Sequence, residues 1–145
     1  MNVIEILLIE DSPSDAGLFL EAVEDFQVSN RISLVKDGEE ALDFLKKRGR
    51  YTEAPTPDLI FLDLNIPRKD GREVLAEIKR DEALRHLPVI IMTTSTSERD
   101  VAKCYDLQAA GYIVKPLNIE QFLDVMKVLG DYWLQVVRLP RTTSS

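Results

Sequence analysis

The sequence is poor in the residues that several classes of protein require. A single cysteine, Cys104, cannot form an intramolecular disulfide, as expected for a cytoplasmic protein. A single histidine, His86, argues against a zinc site and against a Ser-His hydrolase. No apolar run approaches the roughly 20 residues that cross a bilayer, and no basic leader precedes the first apolar segment. We therefore expect neither a membrane protein nor a secreted one.

Positive charge is also scarce. The 18 lysines and arginines are outnumbered by 25 aspartates and glutamates, which gives a formal net charge of −7. Nucleic-acid binding needs a basic face, so the expected partners are proteins. A length of 145 residues with 45% hydrophobic residues suits one globular domain. We place this domain at residues 1–137, followed by a short tail at 138–145.

Extended and helical patterns alternate five times along the chain. Short apolar runs predict strands at 3–9, 31–37, 58–63, 87–93 and 111–115. Amphipathic segments predict helices at 12–26, 38–48, 71–84, 97–110 and 118–137. This alternation is typical of an α/β fold in which helices cover both faces of a doubly wound parallel sheet.

Polar residues follow four of the predicted strands. The first strand is followed by Glu10 and Asp11, the third ends at Asp63, the fourth at Thr93 and the fifth at Lys115. In an open parallel sheet, ligands bind outside the carboxyl ends of the strands. The sequence therefore predicts that these side chains form one site.

Three acids and a lysine at close range indicate phosphoryl chemistry with a metal ion. Clustered carboxylates repel one another, and a hard divalent cation relieves that repulsion. Magnesium suits the site because it accepts one or two carboxylates, keeps several waters and binds phosphate oxygens. An aspartate can act as a nucleophile and form an aspartyl-phosphate, while a lysine suits a phosphoryl oxygen.

Four segments resemble a known family. The segments "LIEDS", "LIFLDLNIPRKDG", "VIIMTTS" and "GYIVKP" resemble the receiver domain of two-component response regulators, and the similarity extends over residues 3–137. It implies a single-domain (βα)5 fold with the flavodoxin-like strand order 2-1-3-4-5. It also implies a phosphoacceptor signalling protein rather than an enzyme. Such a protein accepts phosphate from a sensor histidine kinase and signals by contact with a downstream protein.

The resemblance assigns the acids to phosphate acceptance and metal binding. Asp63 is expected to accept the phosphoryl group. Glu10, Asp11 and Asp63 are expected to hold Mg²⁺, with the backbone carbonyl of Asn65 as a further ligand. A receiver of this kind is expected to assist its own phosphorylation and to lose the phosphate slowly by autodephosphorylation.

The resemblance assigns phosphoryl binding and switching to the last two strands. Thr93 and Lys115 are expected to bind the phosphoryl group, and Tyr112 is expected to fill the space that Thr93 vacates. The peptide bond between Lys115 and Pro116 is expected to be cis. One position departs from the family pattern, since the residue after the threonine is usually small and is Thr94 here. Its β-branched side chain is expected to impede water or the phosphodonor and to alter the lifetime of the phosphorylated form.

Further segments resemble one subfamily. "NIPRKDGREVLAEIK", the loop "GRYTEAPTPD" and the terminal "YWLQVVRLP" are similar to stand-alone regulators that are paired with bacterial phytochromes. The resemblance implies a phytochrome as the partner kinase and a role in light signalling.

Two other classes of protein use related chemistry or a related fold. Aspartate-dependent phosphatases also combine an aspartate nucleophile with threonine, lysine and magnesium, but they carry a second acid two residues after the nucleophile. That position is Asn65 here. A flavodoxin-like binding module needs a loop rich in glycine and hydroxyl residues after the first strand, whereas Glu10 and Asp11 would repel a flavin phosphate.

The last predicted helix has two apolar stripes. At about 100° per residue, one stripe forms the natural core face and consists of Ile119, Phe122, Leu123, Met126, Trp133 and Val137. The second stripe consists of Val125, Val128, Leu129, Tyr132 and Val136. A sheet covers only one stripe fully, so the second predicts a homodimer interface, unless the tail or a neighbouring helix covers it.

Overall fold

The chain forms one parallel sheet with helices on both faces. The computed structural model describes residues 3–116 and 118–140. Five strands pair in the order β2-β1-β3-β4-β5, which confirms the predicted fold class and strand order. The strands are β1 at Ile4–Ile9, β2 at Asn30–Val35, β3 at Leu59–Leu62, β4 at Val89–Thr93 and β5 at Gly111–Val114.

Five α-helices follow the strands in turn. They are α1 at Pro13–Val23, α2 at Gly38–Leu45, α3 at Gly71–Arg80, α4 at Glu98–Asp106 and α5 at Ile119–Leu129. Each begins after a residue whose side-chain oxygen accepts a backbone N–H of the first turn, namely Ser12, Asp37, Asp70, Ser97 and Asn118. Within the described residues, no helix combines the length and the apolar character needed to cross a membrane.

The helices end earlier than the sequence pattern predicts. Beyond α2 and α4, Lys47 and Gln108 adopt positive φ angles of 55° and 71°, which stop a right-handed helix. Neither residue is the glycine or asparagine that usually marks such a stop, so the sequence carried no clear signal. A short 3₁₀ turn, Gly49–Tyr51, lies in the predicted loop before β3.

Alternate residues of the central strands form two separate cores. Leu7, Ile60 and Ile91 pack with the helices α2, α3 and α4 on one face of the sheet. Leu8 and Phe61 pack with α1 and α5 on the other face. Both faces are covered, which explains why these strands are continuously apolar. Cys104 is fully buried in the first core, and burial raises the pKa of its thiol to about 11.

The last helix differs from the predicted straight helix. The chain continues beyond α5 as a π-helical segment, Gly130–Val136, in which Val137 N–H donates to the carbonyl of Tyr132 at 2.8 Å. The wider turn shifts the side chains that follow, so that Leu134 becomes buried while Trp133 is only partly buried.

The burial of α5 corrects both predicted stripes. Leu129 of the second stripe is buried in the core at 7% exposure. Ile119 and Leu123, which were predicted to face the core, are 58% and 42% exposed. Phe122 and Met126 are buried as predicted. The first five residues of α5 are less covered than an ideal helical projection implies.

Candidate functional site

The structure brings the predicted site residues together at the carboxyl edge of the sheet. Glu10 and Asp11 directly follow β1, Asp63 follows β3, Thr93 ends β4 and Lys115 follows β5. Four of these five side chains belong to buried residues, and Asp11 is exposed at the rim. Buried polar groups on adjacent parallel strands are rare without a functional reason, so the cluster is the candidate site.

The loop after β3 fixes the position of Asp63. The Asp63 N–H donates to the carbonyl of Ile9 at 3.1 Å, and Leu64 anchors the loop in the core. Gly71, at the start of α3, donates its N–H to the carbonyl of Leu64 at 3.0 Å. A Cβ on Gly71 would lie 2.4 Å from the carbonyl oxygen of Asp63, so glycine is required for this close approach. Asn65 N–H donates to Asp63 Oδ1 at 3.1 Å.

Lys115 lies at the centre of the acids. Its Nζ donates to Glu10 Oε1 at 2.5 Å, Asp15 Oδ2 at 2.7 Å and Asp63 Oδ2 at 2.9 Å. Burial lowers the pKa of Lys115, but hydrogen bonds to Asp15, Glu10 and Asp63 outweigh it and raise the pKa overall. The ammonium is therefore charged and uses all three of its donors. Asp15 was not predicted as a site residue.

Glu10, Asp11 and Asp63 form a group that fits a divalent cation. One carboxylate oxygen from each lies within 4.8 Å of the others. Burial, the largest cause, raises the pKa of Glu10 to about 7, with the charge of Asp63 adding to the effect and the hydrogen bond from Lys115 opposing it. Oxygen ligands and excess negative charge are what a hard cation such as Mg²⁺ prefers. The donor set therefore fits the predicted metal.

Ser95 connects Thr93 to Tyr112. Ser95 N–H donates to Thr93 Oγ1 at 3.4 Å, while the Tyr112 hydroxyl donates to the Ser95 carbonyl at 3.0 Å. Thr93 is fully buried, and Asn65 Nδ2 lies 3.5 Å from its hydroxyl. A movement of the Thr93 hydroxyl would therefore disturb Ser95 and, through it, Tyr112. Thr94, the next residue, is exposed.

An ion pair between α3 and α4 contacts the loop after β4 that contains Ser95. Arg72 of α3 makes a two-pronged contact with Asp100 of α4, with Nε–Oδ1 at 2.7 Å and Nη2–Oδ2 at 2.6 Å. Ser95 Oγ donates to Asp100 Oδ2 at 2.7 Å. Hydrogen bonds from Arg72 and then Ser95 lower the pKa of Asp100 to about 2. Sequence reasoning missed this pair, because 28 residues separate its members.

The predicted cis peptide bond is wrong. No peptide bond among the described residues is cis, and these include the bond between Lys115 and Pro116. The two isomers of a bond before proline differ by only about 0.5–1 kcal/mol, so a motif does not fix the isomer. With the trans bond, Lys115 N–H donates to the carbonyl of Thr93 at 2.7 Å and Nζ still reaches the acids.

A five-stranded parallel sheet with this edge cluster has the architecture of a receiver domain. The family model of the response regulator receiver domain matches residues 6–127, and the chain belongs to that family. Family membership disfavours both alternatives, the aspartate-dependent phosphatase and the flavodoxin-like module.

Relatives extend over nearly the whole chain. Response regulator Rcp1 of Synechocystis sp. is 41% identical over 135 residues, which cover 93% of this chain and 92% of Rcp1. The crystal structure of Mn²⁺-bound Rcp1 superposes with a TM-score of 0.93 at 40% identity, covering 95% of this chain and 99% of that one.

Two further solved structures are similar. Phosphorylated RcpA, a cyanobacterial phytochrome response regulator, gives a TM-score of 0.93 at 42% identity and covers 97% of this chain and 100% of its own. RPA3017, a response regulator in red light signaling of R. palustris, gives 0.88 at 34% identity over 97% of this chain and 100% of its own. The predicted similarity to stand-alone, phytochrome-linked regulators is confirmed.

Proposed function

We propose that Asp63 of this receiver domain accepts a phosphoryl group from a sensor histidine kinase. The observation that carries the proposal is the contact of Asp63 with Lys115 beside two further acids, Glu10 and Asp11. A carboxylate oxygen of Asp63 attacks phosphorus, and a P–O bond forms as the P–N bond to the kinase histidine breaks. Lys115 and the Thr93 hydroxyl then stabilise the phosphoryl oxygens.

We further propose Mg²⁺ as the resident metal. Glu10, Asp11 and Asp63 would hold it, with the backbone carbonyl of Asn65 as an additional ligand. When bound, the cation offsets the negative charge of the acids and of the phosphoryl group. The fit of the three carboxylates supports this assignment. The crystal structure of Rcp1 with Mn²⁺ supports a divalent ion in a related chain.

The experiment that tests this function is direct phosphorylation. The full chain, incubated with acetyl phosphate and Mg²⁺, should gain the mass of one phosphoryl group in a mass spectrum. The modification should be stable in acid and labile in base, because it is an acyl phosphate. No mass gain under these conditions would reject the proposed function.

The proposed partner kinase is a bacterial phytochrome. RcpA is a phytochrome response regulator and RPA3017 acts in red light signaling, and both resemble this chain over nearly its whole length. We propose that the regulator acts in the cytoplasm, together with its kinase. Its output is contact with a downstream protein.

Phosphorylation at Asp63 is proposed to move a two-state switch. The phosphoryl group attracts the Thr93 hydroxyl, which breaks its contact with Ser95 N–H and releases the loop that Tyr112 holds. Tyr112 then turns toward the space beside Thr93. Moving a switch from mostly off to mostly on needs roughly 5 kcal/mol of differential interaction. One charge-assisted hydrogen bond supplies about 1.5–3 kcal/mol of it.

Thr93→Ala is expected to uncouple phosphorylation from the conformational response. The variant should still gain phosphate, because Asp63 and Lys115 remain, but the amide NMR signals of residues around Ser95 and Tyr112 should shift far less on phosphorylation. Thr96→Ala, a matched change at an exposed position of the same loop, should respond like the wild type. A full response in the Thr93 variant would contradict the coupling.

We propose that the exposed stripe of α5 and the π-helical segment after it forms a homodimer interface. Val128, Tyr132 and Val136 are 67%, 52% and 72% exposed, and Val125 is partly buried. A groove of about 440 Å³ lies beside Val125 and Val128, is lined by residues of β5 and α5, and includes Tyr112. The buried Leu129 forms part of the floor of this groove rather than an exposed contact. Because Tyr112 lies at the groove, phosphorylation can change the pairing.

Val128→Asp combined with Tyr132→Asp is expected to abolish the dimer. Two carboxylates placed in an apolar interface would lose their hydration on association. The free energy of this desolvation exceeds the free energy that the apolar contact contributes to dimerisation. Light scattering at micromolar concentration measures the molar mass of the protein, with and without beryllofluoride, a mimic of the phosphoryl group. Leu20→Asp, a charge on the exposed apolar residue of α1, should leave the dimer intact. A wild-type monomer in both states, or a dimer that survives the double change, would show that this stripe is not the interface.

A further inference from the structure

Asp15 has an unusual role at the start of α1. The side chain of Ser12 caps the helix by accepting the Asp15 N–H at 3.3 Å. In a capping box, an acid at the Asp15 position would accept the Ser12 N–H in return. Here Glu10 Oε2 accepts that N–H at 3.2 Å. The Asp15 carboxylate is thus released from capping and reaches Lys115 instead, at 2.7 Å.

The contact occupies a donor that phosphoryl binding requires. The ammonium of Lys115 has three N–H donors, and three carboxylates accept from it. A phosphoryl oxygen on Asp63 can approach Lys115 only if one of these partners yields. Glu10 and Asp63 are buried, and both belong to the group that fits a cation.

Of the three carboxylates, Asp15 can release the ammonium of Lys115 with the smallest loss of free energy. Its side chain is 36% exposed, against 5% for Glu10 and 9% for Asp63, so water can replace its contact with Lys115. It is also outside the group of three acids whose oxygens converge on the metal position. Its remaining effect on an incoming phosphoryl group is competition for Lys115 and repulsion between like charges.

We propose that Asp15 competes with the phosphoryl group for the ammonium of Lys115 in the resting site. This inference rests on the proposed function of Asp63. The carboxylate occupies one donor of Lys115 before phosphorylation and repels the negative charge that phosphorylation adds. Asp15 therefore limits how readily the phosphorylated state forms.

The test measures affinity for beryllofluoride, a phosphoryl mimic, on the full chain with saturating Mg²⁺. Asp15→Asn removes the charge but keeps an oxygen that Lys115 can approach. The variant should bind the mimic about fivefold more tightly than wild type, as expected for one partly screened charge. The gain should shrink as salt is added, because screening weakens the repulsion.

Two controls separate this role from a structural one. Asp15→Glu keeps the charge and should return the affinity toward the wild-type value. Glu21→Gln removes an equal charge from an exposed position farther along α1 and should leave the affinity unchanged. A merely structural contact would predict weaker binding in Asp15→Asn, because Lys115 would lose orientation.

The outcomes distinguish this inference from the proposed function. If wild type binds the mimic but Asp15→Asn binds it equally or more weakly, the role of Asp15 is overturned while the function of Asp63 stands. An equal gain in Glu21→Gln would also overturn it, since a general charge effect would then suffice. If wild type does not bind the mimic with Mg²⁺ present, both the proposed function and this inference fail.

Discussion

Asp63→Asn is expected to abolish phosphorylation of the chain by acetyl phosphate. An amide is not a nucleophile toward phosphorus, so the variant lacks the proposed acceptor beside Lys115. The measurement is the intact mass after incubation with the phosphodonor and Mg²⁺, in which the variant should show no phosphorylated species.

The substitution should leave the fold intact. Lys115 keeps Glu10 and Asp15 as partners when Asp63 loses its charge, and the Asp63 N–H still donates to the carbonyl of Ile9. The matched control is Asp25→Asn, an exposed acid beyond the end of α1 at the opposite edge of the sheet, which should be phosphorylated like the wild type. Normal phosphate incorporation in the Asp63 variant would mean that another residue is the acceptor.

The parallel sheet and the position of the site were predictable from local patterns, whereas the strand order was predicted only from the resemblance to receiver domains. Strands that are apolar on both faces are typical of a buried parallel sheet, and Glu10, Asp63, Thr93 and Lys115 each lie where an apolar run ends. Because the carboxyl ends of parallel strands share one edge, spacing along the chain was enough to predict that these residues meet.

The contacts within the site were less predictable. Asp15 had an equally good local role in helix capping, and only the competing bond from Ser12 to Glu10 releases it for Lys115. Ser95 was hidden for a similar reason, since a serine in a polar loop carries no signal until Tyr112 and Asp100 are placed beside it. Which partner such a side chain binds depends on how segments that are far apart in sequence lie in the folded chain.

The errors on the last helix have a different cause. The projection at 100° per residue assumed a regular α-helix through residue 137, whereas a π-helical segment follows Leu129 and changes the burial of the residues after it. The errors at Ile119 and Leu123 lie within the regular helix α5, where less of the helix is covered than the projection assumed. The single glycine at Gly130 does not specify this change. A Cβ at this position would lie 2.6 Å from the ring of Phe26, so any larger residue would require that ring to move, which the sequence alone does not show.

Removal of the metal is expected to abolish phosphoryl transfer to Asp63. Glu10, Asp15 and Asp63 contact the single ammonium of Lys115, and Asp11 adds a fourth carboxylate close to Glu10 and Asp63. A phosphoryl group adds further negative charge, which Lys115 alone cannot offset. EDTA should therefore stop incorporation of phosphate from acetyl phosphate, and excess Mg²⁺ should restore it. Both are measured by intact mass.

Asp11→Ala should have nearly the same effect as EDTA. Mutation of a residue that only hydrogen-bonds to a metal ligand usually lowers metal affinity or activity by about 10–100-fold. Loss of a direct ligand should therefore slow phosphorylation on the order of 100-fold or more. Asp11 is exposed and no hydrogen bond of its side chain holds the fold together in the described structure, so the variant should remain folded. Asp106→Ala, an exposed acid at the far end of α4, is the matched control and should be phosphorylated at the wild-type rate. Undiminished phosphorylation in EDTA would refute metal dependence, while an unaffected Asp11 variant that still requires Mg²⁺ would place the metal on Glu10 and Asp63 without Asp11.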